Sequence, residues 1–259
     1  MVTRFDVVFT PAEIVLLPKQ DLSRTICVVF DILRATSVFV TALANGAAAV
    51  RPVAEILEAL AARNANPTVL LAGEREGVRI CASETGGVNF DLGNSPREFT
   101  PEIVQGRHIV STTTNGTRAL RACVGAERVL AASFLNLAAT AVHLHTFSAQ
   151  RILLVCAGTG DKTALEDVLA AGALCLAFKS TGVQADVSDA ARIATAAFLS
   201  AEQNLEAALG NSRNGRRLLA NPELCADVAF CTRRDVWDVV PEMNSAGWLV
   251  AKKGGGPER

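Results

Sequence analysis

Residues 28–37 read VVFDILRATS, and the junction inside that stretch decides the fold. Ile26, Cys27, Val28, Val29 and Phe30 form a continuous apolar run, the pattern of a strand buried on both faces. Asp31 ends the run, and Arg34 and Thr36 follow within five residues. A strand that stops on a carboxylate and turns at once into a helix delivers side chains to the carboxyl edge of a sheet. That edge is where open α/β sheets bind ligands. Asp31 is the leading candidate for chemistry, because a carboxylate closing a buried strand needs a partner.

The same grammar recurs outward from this junction. RTICVVFD, NPTVLLAGE, GRHIVSTTT and RILLVCAG each read as a short buried strand cut by a polar or glycine-containing turn. Ala-rich stretches lie between them, such as EILEALAARN at 55–64 and the run from Thr163 to Phe178. In the latter, Leu165, Val168, Leu169, Gly172 and Leu176 make one helical stripe, which puts Asp167 on the opposite, solvated side. Strand–helix alternation predicts an α/β fold with a mostly parallel sheet flanked by helices. Residues 1–250 are expected to form one unit, built from two similar βαβ-rich lobes at about 1–130 and 131–250, with 251–259 a frayed tail. VVFDILRAT and IVSTTTNGT, with the helical segments after them, read as an internal repeat that pairs Asp31 with Thr112, Arg34 with Asn115 and Thr36 with Thr117. The favoured explanation is the likeness of all βαβ units, with true duplication as the alternative.

Composition narrows the function. Lys plus Arg is 25 against 26 Asp plus Glu, so no overall field favours nucleic acid or an acidic membrane. The chain has no Tyr and few aromatics, which argues against base-stacking platforms. The seven cysteines are odd in number, form no CxxC pair and mostly sit in apolar runs; they read as reduced, buried residues of a cytoplasmic protein. The N-terminal stretch, broken by Asp6, Pro11, Glu13 and Pro18, lacks the apolar core of a signal peptide, and no run has the length of a membrane span. Whether chains assemble as a homo-oligomer is left open.

Residues 73–96, GEREGVRICASETGGVNFDLGNSP, show no sustained periodicity, and a loop this long in a compact domain is functional or disordered. An active-site loop carrying Glu74, Arg75, Asp91, Asn94 and Ser95 is the favoured reading. STTTNGTR at 111–118 closes a strand with three threonines. Asn115–Gly116 tolerates positive φ, and Thr117 is placed to cap the next helix. Such a turn offers hydroxyls and backbone N–H groups as an anion cradle, from Thr113 and Thr114 through Asn115, Gly116 and Thr117. Arg34, Arg75 and Arg118 sit beside the candidate loops and suit phosphate, carboxylate or sulfonate. Asp31, Glu74, Glu166 and Asp167 supply the oxygen donors that Mg²⁺ accepts alongside water and a substrate phosphate. Thr163-Ala-Leu-Glu166 also spells a capping box, which competes for Glu166.

Other chemistries recede. The only histidines are 108, 143 and 145, and two of them point to different sides of a helix, so a zinc site or a Ser–His–Asp triad is not expected. Cys156 lacks a phosphate-loop arginine, and Asp31 lacks a second Asp two residues on. CAGTGDKT misses both the dinucleotide fingerprint and the Gly-Lys-Thr of a P-loop, leaving nucleotide binding as a weak alternative.

VVFDILRATS, LAGEREG, FDLGNSPREFT, STTTNGTRAL, CAG followed by ALEDVLAAGAL, SRNGRRL and DVAFCTRRD together resemble the ComB family, the 2-phosphosulfolactate phosphatases, in order from about Val28 to Pro241. The resemblance implies a ComB-like α/β fold and a Mg²⁺-dependent removal of phosphate from 2-phospho-3-sulfolactate, on the way to coenzyme M. Carried onto this sequence, it points to Asp31, Arg34 and Thr36, Glu74 and Arg75, Asn94 and Ser95, Thr113 to Thr117, and Glu166 with Asp167. Asp31, Arg34 and Glu74 are expected to be catalytic, with Asp31, Glu74, Glu166 and Asp167 around the metal. Phosphate-monoester hydrolysis can need up to ~10²¹-fold acceleration, about 28 kcal/mol. A charged hydrogen bond supplies about 1.5–3 kcal/mol, so several groups must act together. A metal-activated water is the preferred nucleophile and a phosphorylated Asp31 the alternative. A non-catalytic binder of a phosphorylated metabolite is the competing function.

Overall fold

The computed structural model describes residues 3–147, 151–180 and 185–254. Eleven strands form one sheet: β1 (Thr3–Val8), β2 (Thr25–Phe30), β3 (Ala49–Pro52), β4 (Leu70–Arg75), β5 (Val78–Arg79), β6 (His108–Thr112), β7 (Arg128–Ala132), β8 (Arg151–Cys156), β9 (Ala185–Val187), β10 (Val239–Met243) and β11 (Leu249–Lys253). Their order across the sheet is β5-β4-β6-β3-β11-β10-β7-β2-β8-β1-β9. Two parallel blocks, β4-β6-β3 and β7-β2-β8-β1-β9, are joined through the antiparallel pair β11-β10. The α/β class with a mostly parallel sheet is therefore as the sequence predicts.

Both faces are covered, and β2 shows why its run is continuous. Ile26, Val28 and Phe30 enter one apolar core while Cys27 and Val29 enter the other, as strand alternation requires. The helix Ala35–Ala44 that follows is buried from Ala35 to Leu43. Cys27, Cys123, Cys156 and Cys231 are buried and Cys81 is exposed, all as free thiols. No helix among the described residues is long and apolar enough to cross a membrane.

Three expectations need correction. The sheet does not divide near residue 130, because β2 inserts between β7 and β8. Residues 251–253 are not frayed: they pair with β10 in the middle of the sheet, while 255–259 lie outside the described residues. Asp167 is buried and Leu165 is exposed, the reverse of the predicted stripe. From Glu166 to Leu174 the helix Leu165–Ser180 is buried all round, packed against the sheet and the helix Asp189–Ala201. Gly172 touches Ala194 so closely that a Cβ would stand 2.1 Å from its carbonyl oxygen.

The topology also brings distant strand ends together. From β2 to β6 there are five strand-to-strand steps, ~24 Å in a flat sheet. Yet an added Cβ on Gly116, just past β6, would lie 2.6 Å from Asp31 Oδ2, just past β2. The turns after β2 and β6 therefore meet although their strands are five places apart in the sheet.

Candidate active site

The convergence produces a cavity of about 250 Å³ at the carboxyl ends of β2, β4, β6 and β8. Asp31, Glu74 and Asp167 line it together with Arg34, Asn94, Thr114, Asn115, Asn214 and Arg217. Glu166 is buried beside it without lining it, and its Oε1 accepts from Asn214 Nδ2.

Each carboxylate is fixed by backbone donors. Asp31 accepts from the N–H of Ala35 at 3.2 Å and from the N–H of Gly116. Asp167 accepts from Ile32 N at 2.9 Å and Gly158 N at 3.0 Å, tying the ends of β2 and β8 to one side chain. Glu74 Oε1 accepts from Thr114 N at 2.9 Å and Thr114 Oγ1 at 3.0 Å, and its Oε2 accepts from Gly77 N at 2.6 Å. Burial pushes Asp31 up to about 7; the Ala35 N–H opposes this, and the neighbouring Glu74 and Glu166 add to it. Burial, then Glu166 and Asp31, likewise raise Asp167. Such a site is short of positive charge.

Arg34 lines the same cavity and is 3 % exposed. Its Nη1 donates to Asp227 Oδ2 at 2.7 Å and its Nη2 to the Gly77 carbonyl at 2.9 Å. Asp227 is fully buried and also accepts from Ser95 Oγ at 2.6 Å and Arg97 Nε at 2.7 Å. One carboxylate thus holds two guanidinium groups, Arg34 in the cavity wall and Arg97 outside its lining.

Several predicted binding residues stand elsewhere. Arg75 follows Glu74 on β4, so it points to the opposite face. There it donates to the Glu74 carbonyl and to Thr112 Oγ1. Arg118 is about 200° around its helix from Gly116 and pairs at the surface with Glu55 at 3.5 Å. Asp91 accepts from Leu71 N at 2.7 Å and pairs with Arg63, away from the cavity. Ser95 serves Asp227. Thr36 Oγ1 accepts from Asp31 N and donates to Asp31 O, both at 3.0 Å, sealing the turn. Thr113 and Thr117 bond each other, and both Thr114 donors go to Glu74, so the expected anion cradle has spent most of its hydroxyls internally. Asn94, Thr114 and Asn115 do reach the cavity, and Gly116 supplies the close approach to Asp31.

Sequence reasoning missed Asn214, Arg217 and Asp227 as site residues. The strings SRNGRRL and DVAFCTRRD hold them, but they lie on helices, and the search followed strand ends.

The sequence pattern of the family described as 2-phosphosulpholactate phosphatase matches residues 11–246. This chain belongs to that family. Membership places it among phosphoric monoester hydrolases. A protein of Thermotoga petrophila named probable 2-phosphosulfolactate phosphatase is 42 % identical over 238 residues, 92 % of this chain and 97 % of that one. Proteins with the same printed name from Caldanaerobacter subterraneus subsp. tengcongensis and Clostridium perfringens are 40 % and 34 % identical, over 87 % and 91 % of this chain and 90 % and 93 % of theirs.

Family membership turns attention to the oxygen donors. Among the described residues, no three His, Cys, Asp or Glu side chains form a ready-made metal cage. Asp31, Glu74 and Asp167 instead offer oxygens along one wall, and Mg²⁺ is commonly held by one or two carboxylates plus water and substrate phosphate. The donor set fits a hard cation in that mode.

Proposed function

We propose that the chain hydrolyses the phosphoester of 2-phospho-3-sulfolactate with Mg²⁺ bound at Asp31 and its neighbouring carboxylates. The observation that carries this reading is the meeting of buried carboxylates and uncancelled guanidinium charge along one small cavity. Carboxylates alone would repel a phosphoester, and arginines alone would bind it without acid–base chemistry. Together they suit a substrate with several negative groups whose phosphoryl end is received through a dication. The relatives' printed names and family membership support the same substrate.

Asp31, with Glu74 or Asp167, would hold Mg²⁺, and Glu166 adds negative charge from beside the cavity. The ion supplies charge neutralisation of the phosphoryl group and a lower pKa for water. The protein's own part is positioning. Backbone N–H groups clamp each carboxylate, so little reorganisation is left for the reaction. Asn115 faces the phosphoryl end, and Arg34, fixed by Asp227 and Gly77, holds the carboxylate next to the phosphorylated carbon. A protonated Asp31 would give up its proton on binding a cation and become an oxygen ligand.

Purified protein with Mg²⁺ is expected to release phosphate from 2-phospho-3-sulfolactate, and EDTA to abolish release. Tight substrate binding without turnover would replace this reading with that of a binder. Acid quench during turnover separates the two nucleophiles: recovery of phosphorylated Asp31 would remove the direct attack of water.

A further inference from the structure

Arg34 and Arg217 are the two cations that line the cavity, and they differ in one respect. Arg34 is buried and has both terminal nitrogens engaged by the protein. Arg217, on the helix Arg213–Leu219, is exposed and has no hydrogen-bond or ion-pair partner among the described residues. An arginine held at a cavity wall without a counter-ion is a group whose partner arrives with the ligand.

Two neighbours share the cavity wall with it. Gly77 adopts φ +81°, and a Cβ on it would stand 2.5 Å from Arg217 Nη2. The guanidinium therefore lies directly over the Gly77 backbone. Asn94 faces the same cavity, is 7 % exposed, and its Oδ1 has no hydrogen-bond partner among the described residues. The two ends of an amide exchange by a flip, so Asn94 can turn its NH₂ towards an anion.

We propose that Arg217, assisted by Asn94, binds the acid group farthest from the reacting phosphorus, the sulfonate, and so sets the preference for a sulfonated substrate. This rests on the phosphatase reading above. In 2-phospho-3-sulfolactate the carboxyl carbon is bonded directly to the phosphorylated carbon, whereas the sulfur is one bond farther out. The buried Arg34 suits the nearer group and the exposed Arg217 the outer one. A guanidinium free of protein partners can turn its fork to a tetrahedral sulfonate.

Steady-state kinetics with 2-phospho-3-sulfolactate and with 2-phospholactate, which keeps the phosphate and carboxylate but lacks the sulfonate, test this. Arg217→Ala should lower kcat/KM for the sulfonated substrate ~10- to 100-fold, mostly through KM, as expected for loss of a charged hydrogen bond. The penalty on 2-phospholactate should be about threefold or less. Arg217→Lys should recover part of the loss. Arg216→Ala, which removes the same charge from the same helix outside the cavity, should change neither substrate by more than about twofold. Equal losses on both substrates, or no loss on either, would overturn the assignment. If the wild type hydrolyses neither compound, the phosphatase reading itself fails. Calorimetry with 3-sulfolactate then decides the subsite: weaker binding by Arg217→Ala supports it, and unchanged affinity removes it.

Discussion

The turn after β2 and the turn after β6 use the same residues for the same structural task, yet only one sends a carboxylate into the cavity. Thr36 closes the first turn by bonding both the N–H and the carbonyl of Asp31, and Thr117 closes the second on Thr113 in the same way. The threonines that looked like substrate ligands are fasteners in both units. The residues matched in sequence then diverge. Asp31 faces the cavity among other carboxylates, while Thr112 accepts from Arg75 and donates to the carbonyl of Ala54. Local grammar makes a strand–turn–helix; what lies across from the turn decides whether it becomes a site.

The largest test of that contrast is a pair of substitutions at the matched positions. Asp31→Asn should lower kcat by about 10³-fold or more, the scale of losing a preorganised charge-stabilising group. Thr112→Val should leave kcat within about threefold and lower stability by about 1–3 kcal/mol, since it orphans buried partners. Steady-state kinetics with thermal melts check both. A large activity loss at Thr112 would put the second turn back into the chemistry.

Next in size is Asp227, which lies outside both turns. Asp227→Ala leaves Arg34 buried without a counter-ion, and breaking such a pair costs about 3–5 kcal/mol. Urea denaturation should show the loss, with a raised KM in whatever protein stays folded. An unchanged midpoint would mean that Arg34 finds another partner.

The pH dependence sharpens the picture of the first turn. Asp31 is raised to about 7 from an ordinary 3.8, so the folded state binds its proton more tightly than the unfolded state. Its contribution to stability is full below pH ~4 and is lost as pH rises through about 7. Asp167 shifts in the same direction. Metal-free protein should therefore lose Tm between pH 5 and 8, and Mg²⁺ should raise Tm more at pH 8 than at pH 5. An equal Mg²⁺ effect at both values would separate Asp31 from the metal. Calorimetry across that range gives the answer.

Smaller still are Thr36→Val and Thr117→Val, each expected to cost about 1–2 kcal/mol of stability with KM within about twofold. A tenfold rise in KM at an unchanged Tm would restore the threonines as substrate ligands. Arg118→Ala should do least, below about 1 kcal/mol with no change in kcat/KM, because its pair with Glu55 is exposed.

Much of this organisation was legible in one dimension. The apolar runs fix strands buried on two faces, and the polar residues ending them mark the rim where the cavity opens. That is why Asp31, Glu74, Asn94 and Asn115 could be found from local pattern alone. Orientation within an element was harder to read. Arg75 and Arg118 are next to cavity residues in sequence but point away, by strand alternation in one case and helix rotation in the other. Asp167 was assigned to solvent because periodicity counts one apolar stripe and does not know that a second helix covers the far side.

The sequence by itself determined the α/β class, the strand ends that carry polar groups, and membership in a phosphatase family, because these depend on residues close together in the chain. Tertiary structure alone decided that Gly116 meets Asp31 although their strands are five places apart. It also decided that Asp227 locks Arg34, and that Arg217 comes to rest over Gly77 without a polar partner among the described residues. Those contacts join residues from 85 to almost 200 positions apart, and no local propensity encodes which of them will meet. They form only when the elements pack around the two large cores on either face of the sheet.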